Sequence, residues 1–135
     1  MNQIEVHIIS PDEEIYKGKA EMVVIPGEEG DFSAMYEHAP LVTYLRPGRL
    51  EVNIFDKKKT LTYFVRGGFV KVEDNKCFIM VDYIKEFDDI DIKYIEEKIA
   101  LLRNKINIEN NDFNKHNITK DIDMLQAEVD FVKDC

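Results

Sequence analysis

The chain has 135 residues, 44% of them hydrophobic, with a net charge of −9; it is long enough for one main domain with a modest core, and too apolar for disorder. Its 27 acidic against 18 basic side chains exclude a nucleic-acid partner and disfavour anionic lipid, because the one basic run, Lys57-Lys58-Lys59, reads as a solvated hairpin tip. No segment approaches the roughly 20 apolar residues that span a bilayer, and Met1-Asn2-Gln3-Ile4-Glu5 lacks the basic and apolar parts of a leader, so a soluble protein retained where it is made is expected.

Ile4, Val6 and Ile8 alternate with Glu5 and His7, the two-residue period of a half-buried strand. The run from Glu21 to Ile25 ends at Pro26-Gly27, a turn signal. After Pro47-Gly48 a strand is expected from Arg49 to Phe55, with Leu50, Val52 and Ile54 on one side and Glu51 and Asn53 on the other. Thr60 to Arg66, Phe69 to Glu73 and Lys76 to Asp82 follow, separated by Gly67-Gly68 and Asp74-Asn75, both with hairpin-turn chemistry. Short strands at regular spacing, with no helix-length insertion, predict an antiparallel sandwich or barrel.

The period changes near Asp88. Ile92, Ile95, Ile99, Leu102 and Ile106 are spaced 3, 4, 3, 4 and share one helical stripe, with Asp89 or Asp91 as N-cap. An asparagine-rich link from Asn107 to Asn117 interrupts it. Ile118, Ile122, Leu125, Val129 and Val132 then predict a second helix, capped by Thr119 with Asp121 and Asp123 in its first turn. The expected fold is mainly β plus α: an N-terminal antiparallel β-sandwich over residues 1–87, then a C-terminal two-helix antiparallel hairpin over 88–135. Helices of about 14 to 18 residues are marginal alone in water and need an external surface. An arm of that kind can occupy two positions separated by a small energy gap, as a switch requires.

Catalytic chemistry is hard to assemble from this chain. His7, His38 and His116 each lack a second His or Cys at ligand spacing, so no metal site is expected. Ser10 precedes a proline and Ser33 lies in an acidic loop; neither sits in a nucleophile elbow. Gly67-Gly68 has no following Lys-Ser or Lys-Thr to make a phosphate loop. Cys77 reads as a reduced core thiol, and Cys135 has no neighbouring histidine to activate it. The residues predict neither an enzyme nor a bound cofactor.

One ordered series is more specific. Val24-Ile25-Pro26-Gly27-Glu28-Glu29-Gly30-Asp31-Phe32 is followed by His38-Ala39-Pro40-Leu41-Val42-Thr43, then Leu45-Arg46-Pro47-Gly48, then Gly67-Gly68-Phe69-Val70-Lys71-Val72. In order and spacing this resembles the epsilon subunit of bacterial F-type ATP synthase, over nearly the whole chain, the helical half matching in pattern more than identity. The resemblance implies a non-catalytic rotor subunit of the central stalk that couples the gamma subunit to the c-ring and restrains ATP hydrolysis. It would be peripheral at the cytoplasmic face of the bacterial inner membrane, touching the membrane only through the complex. The loop Glu28, Glu29, Gly30 and Asp31 would face the polar loops of the c-ring, where carboxylates can pair with Arg or Lys. His38, Ala39, Pro40, Pro47, Gly48, Gly67 and Gly68 would fix turns. Pro40 lacks an N–H and pushes Ala39 towards extended geometry, and a neutral His38 can donate one bond and accept another.

The chain also departs from the family. Ser33, Ala34, Met35, Tyr36 and Glu37 stand where the family has Gly, two hydrophobics, Pro and Gly, and Lys71 replaces a Glu whose contacts are therefore not carried over. Members that bind ATP carry Ile/Leu-Asp-x-x-Arg-Ala; here Ile90 and Asp91 match, but Tyr94 stands for the Arg and Ile95 for the Ala. Weak or absent ATP binding is expected. In self-inhibiting members basic helix residues meet an acidic segment of the catalytic beta subunit, which makes Arg103 and Lys105 the candidates. Residues 91–108 hold four basic and three acidic side chains, net +1, whereas 118–135 hold two and five, net −3. An acidic second helix is repelled by an acidic partner, so mild or no inhibition is expected. The alternative is a sensor module that closes its helical hairpin over ATP. An enzyme on a sandwich scaffold is a third class, disfavoured by the lack of clustered His, Cys or Ser.

Overall fold

A computed structural model describes residues 2–54 and 58–133; the expected strand end at Phe55, Lys57 of the basic run and Cys135 lie outside them. The chain divides into two compact units, Met1–Phe87 and Asp88–Cys135.

The first unit is built from β1 (Ile4–Ile9), β2 (Glu14–Ala20), β3 (Met22–Gly27), β4 (Gly30–Met35), β5 (Leu41–Tyr44), β6 (Gly48–Ile54), β7 (Lys59–Glu73) and β8 (Lys76–Glu86). They pair in the order β2-β1-β8-β7-β6-β3-β4, with β5 also on β7. Every pairing is antiparallel except β1 with β8. Inward residues alternate as the period demands: Ile4, Val6 and Ile8 on β1, Leu50 and Val52 on β6, and Cys77, Ile79 and Val81 on β8 are all buried in one core.

Gly67-Gly68 is not a hairpin turn. The two glycines lie inside β7, which continues from Lys59 to Glu73 and keeps one register with β8 on either side of Gly67, Arg66 opposite Tyr83 and Gly68 opposite Val81. Their φ angles are +74° and +113°, a region open to glycine alone at no steric cost. The consequence is a change of face. Tyr63 and Val65 point into the core before the glycines, and Val70 and Val72 after them, so the inward set moves from odd to even positions. One long hairpin thereby serves both layers of the sandwich, turning the corner without leaving the ladder. A Cβ on Gly68 would collide with the Met80 carbonyl oxygen. Asp74-Asn75 is the real turn, with both φ angles positive, as a two-residue hairpin of the I′ kind requires.

Pro26-Gly27 closes its strand but is not the turn itself. β3 runs through both residues, and the chain reverses at Glu28-Glu29, with Gly27 paired to Gly30. Pro26 is tolerated because the pairing of β3 with β6 stops at Val24, so no ladder bond is asked of its nitrogen. The strands β2, β4 and β5 went unmarked in the sequence because none shows a clean apolar alternation.

The second unit contains α1 (Ile92–Ile108) and α2 (Asp112–Lys133). Asp91 caps α1, its Oδ1 accepting from the Tyr94 N–H at 3.2 Å. Ile95 and Ile99 of α1 are buried against Ile122 and Val129 of α2, with Ile92, Leu102, Ile106, Ile118 and Leu125 packed around them, and Lys133 reaches Glu96 at 3.5 Å. Thr119 does not cap the second helix. α2 begins seven residues earlier, at Asp112, and Asn111 Oδ1 accepts from the N–H groups of Phe113 (2.9 Å) and Asn114 (3.2 Å). Thr119 lies in mid-helix, its hydroxyl donating to the Lys115 carbonyl at 2.9 Å, and Asp121 and Asp123 are likewise past the first turn. Asn111 is the cap, and the long link shrinks to three residues between Ile108 and Asp112.

Candidate functional site

The β3–β4 tip and β5 are stitched together by backbone bonds. The Glu28 N–H donates to the Tyr44 carbonyl at 2.8 Å, and the Arg46 N–H to the Pro26 carbonyl at 3.0 Å. Gly48, which opens β6 after Pro47, leaves room for Pro26, whose Cβ would lie 3.0 Å from a Cβ placed there. Above this frame the Arg46 guanidinium pairs with the Asp31 carboxylate. Glu28 and Glu29 are exposed and have no ion-pair partner among the described residues. The tip and β5 border an open groove of about 840 Å³ whose walls include Phe32, Tyr44 and Phe69.

The β4–β5 connection is held at three points. The His38 N–H donates to the Met35 carbonyl at 3.0 Å. Its ring Nδ1 lies 2.6 Å from the Ala39 carbonyl, which can only accept, so that nitrogen carries the proton. Glu37, at φ +67°, donates its N–H to Asn75 Oδ1 at 2.6 Å, tying this loop to the β7–β8 turn. Pro40 then leads into β5, and the Phe32 and His38 rings lie 6.1 Å apart.

The outer face of the β5-β7-β8-β1 layer is more apolar than a solvated sheet face. Directly paired residues share a face, and the register aligns Tyr44 with Phe69, Phe69 with Met80 and Met80 with Ile9. The neighbouring row runs Val42, Lys71, Phe78, His7, the last two rings stacked at 4.9 Å. Tyr44 is 67% exposed and Val42 66%. Sequence reasoning missed this surface. Val42 and Tyr44 do alternate with Leu41 and Thr43, but β5 is four residues long, too short to say which side is the core.

The helix-borne candidates are placed differently. Asp91 is committed to capping α1, so its carboxylate stands at the helix N-terminus. Ile90 packs on the apolar cluster of the helices. Arg103 and Lys105 are both exposed on α1, but residues two apart point to different sides and form no single basic patch. The Glu109 carboxyl beside them is held below its ordinary value, chiefly by the Asn111 N–H and least by Lys105.

Among the described residues no group of three or more His, Cys, Asp or Glu could hold a metal ion.

Known proteins sharpen this picture. The family model described as "ATP synthase, Delta/Epsilon chain, beta-sandwich domain" matches residues 3–86. An ATP synthase epsilon chain of Leptospira interrogans is 38% identical over 99 residues, covering 73% of this chain and 76% of that one. That of Parvibaculum lavamentivorans is 31% identical over 124 residues, covering 92% and 93%. Among solved structures, a chain of the Euglena gracilis mitochondrial ATP synthase, in an OSCP/F1/c-ring assembly, superposes with a TM-score of 0.78 at 21% identity, over 97% of this chain and 79% of that one. A chain of the Tetrahymena thermophila mitochondrial ATP synthase central stalk and c-ring gives 0.66 at 18% identity, over 95% of each. At those identities the two superpositions speak for the fold.

Proposed function

The chain belongs to the ATP synthase delta/epsilon family, and on that premise we propose that it grips the gamma subunit by its outer apolar face and addresses the c-ring with the Glu28-Glu29 tip. As an epsilon chain of the central stalk region it is a structural and regulatory subunit, without catalysis of its own.

The observation that carries the proposal is the uncovered row Tyr44, Phe69, Met80 and Ile9. Burying one such side chain fully is worth about 1.5–3 kcal/mol, whereas an exposed ion pair contributes about 1 kcal/mol or less. The apolar row therefore supplies affinity, and the carboxylate tip supplies register. The tip suits that role because Arg46 already neutralises Asp31, leaving Glu28 and Glu29 to meet Arg or Lys side chains of a partner loop. No described helix is long and apolar enough to cross a membrane, so the protein would reach the cytoplasmic face of the bacterial inner membrane through its complex. The helical unit would restrain hydrolysis little, because residues 118–135 carry a net −3 and would be repelled by an acidic segment of the catalytic beta subunit.

The tip is tested in the assembled enzyme by the double variant Glu28→Lys, Glu29→Lys. Proton-driven ATP synthesis should fall several-fold while ATP hydrolysis by the head is retained. Unchanged synthesis would remove the tip from the coupling path.

A further inference from the structure

The connection from β4 to β5 contains a backbone conformation that its own residues do not explain. Glu37 is exposed and has φ +67°, a left-handed geometry that residues other than glycine keep only where the surroundings impose it. The hydrogen bonds of His38 stay within the connection, between Met35 and Ala39. The Glu37 N–H instead donates at 2.6 Å to Asn75 Oδ1, 38 residues away. Asn75 is half-buried in the β7–β8 turn, where its backbone carbonyl accepts from the Glu5 N–H of β1 at 2.9 Å. One residue thus ties the β4–β5 connection to the turn and to β1.

The start of β5 needs such a tie. The strand pairs with β7 over only four residues, Leu41 to Tyr44, and Pro40 before it has no N–H to offer. Its far end is held by the Glu28 and Leu45 N–H groups, which donate to the Tyr44 and Gly68 carbonyls at 2.8 and 3.0 Å. At its near end Leu41 is half-buried and Val42 is exposed, so packing holds it weakly. We infer that Asn75 is a positioning residue: through the Glu37 N–H it fixes the connection that delivers β5, and so the aim of Val42 and Tyr44. Its effect on docking rests on the outer apolar face being the surface that grips gamma. A loose start to β5 would leave Val42 and Tyr44 in several positions, and fixing them on docking costs entropy that a preorganised strand does not lose.

The experiment combines amide exchange and amide shifts of the full ¹⁵N-labelled chain with its affinity for the gamma subunit carrying the ATPase head. Asn75→Gly keeps the positive φ of the turn and removes the side-chain acceptor. It should speed exchange of the Glu37 N–H about tenfold and shift the Val42 and Tyr44 amides. Affinity for gamma should fall about threefold or more. Asn75→Asp retains an acceptor oxygen and tolerates left-handed backbone, so it should restore all three readouts. Asp74→Gly alters the same turn, again at positive φ, with the Asn75 side chain in place, and should change none of them. The inference fails if Asn75→Gly leaves Glu37 exchange or the Val42 and Tyr44 amides as they were, if Asn75→Asp does not restore them, or if Asp74→Gly moves them equally. Affinity that falls with these amides unmoved also overturns it. Amides that move while gamma binds as before would uphold the positioning and contradict the docking face on which its effect rests.

Discussion

Gly30 and Gly68 both carry positive φ, +136° and +113°, in opposite surroundings. A Cβ on Gly30 meets nothing within 4 Å, while one on Gly68 runs into the Met80 carbonyl of the paired strand. Gly30→Ala should therefore cost about 1–2 kcal/mol, the backbone penalty alone. Gly68→Ala adds a backbone collision that can be relieved only by parting β7 from β8, and should cost about 3 kcal/mol or more. Urea unfolding midpoints of the two variants check the order. Cys77 offers a test by pH. Burial pushes its thiol from an ordinary value near 9 up to about 12. The unfolded chain then releases the proton first as pH rises, so stability is fully present below pH 9 and declines from pH 9 towards pH 12. Burial also raises Tyr63 and Tyr16, and these act in the same direction. Cys77→Val should flatten the part of the decline that begins near pH 9; an unaltered slope would mean that the thiol is not shielded as the structure has it.

Among the elements, the asparagine-rich segment separates two accounts of where the second helix starts. Asn111→Ala removes a side chain that accepts two backbone N–H groups and should cost about 1 kcal/mol of helical stability. Thr119→Ala should cost only a few tenths, since its hydroxyl bonds an already satisfied carbonyl; equal losses would restore Thr119 as the cap. Composition hid this: five asparagines between 107 and 117 read as a linker, when Asn107, Asn114 and Asn117 are helical, Asn111 caps α2 and only Glu109, Asn110 and Asn111 lie between the helices. The apolar stripes of α1 and α2 were legible because five hits at 3.6-residue spacing leave little ambiguity. The strands β1 and β6 were legible for the same reason at period two. Gly67-Gly68 misled because paired glycines signal positive φ equally well for a tight turn and for a face change within a long strand. The acidic tip was visible as residues, but its neighbours Tyr44 and Phe69 were not, since they meet only through the pairing of β5 with β7.

For the whole molecule, the two units carry different work. The sandwich keeps an apolar row that its own core does not need, and the hairpin is closed by its own seam. The sandwich core described here is assembled from residues between Ile4 and Ile84, so its docking face should be testable without disturbing the fold. The direct test is reconstitution of the full chain with the gamma subunit and the ATPase head, measured for the native protein and for Tyr44→Asp with Phe69→Asp. The native chain should co-elute with the stalk, and the variant, folded to the same urea midpoint, should bind at least about tenfold more weakly. Undiminished binding by the variant, or a native chain that leaves gamma and the head untouched, would contradict the assignment of this face.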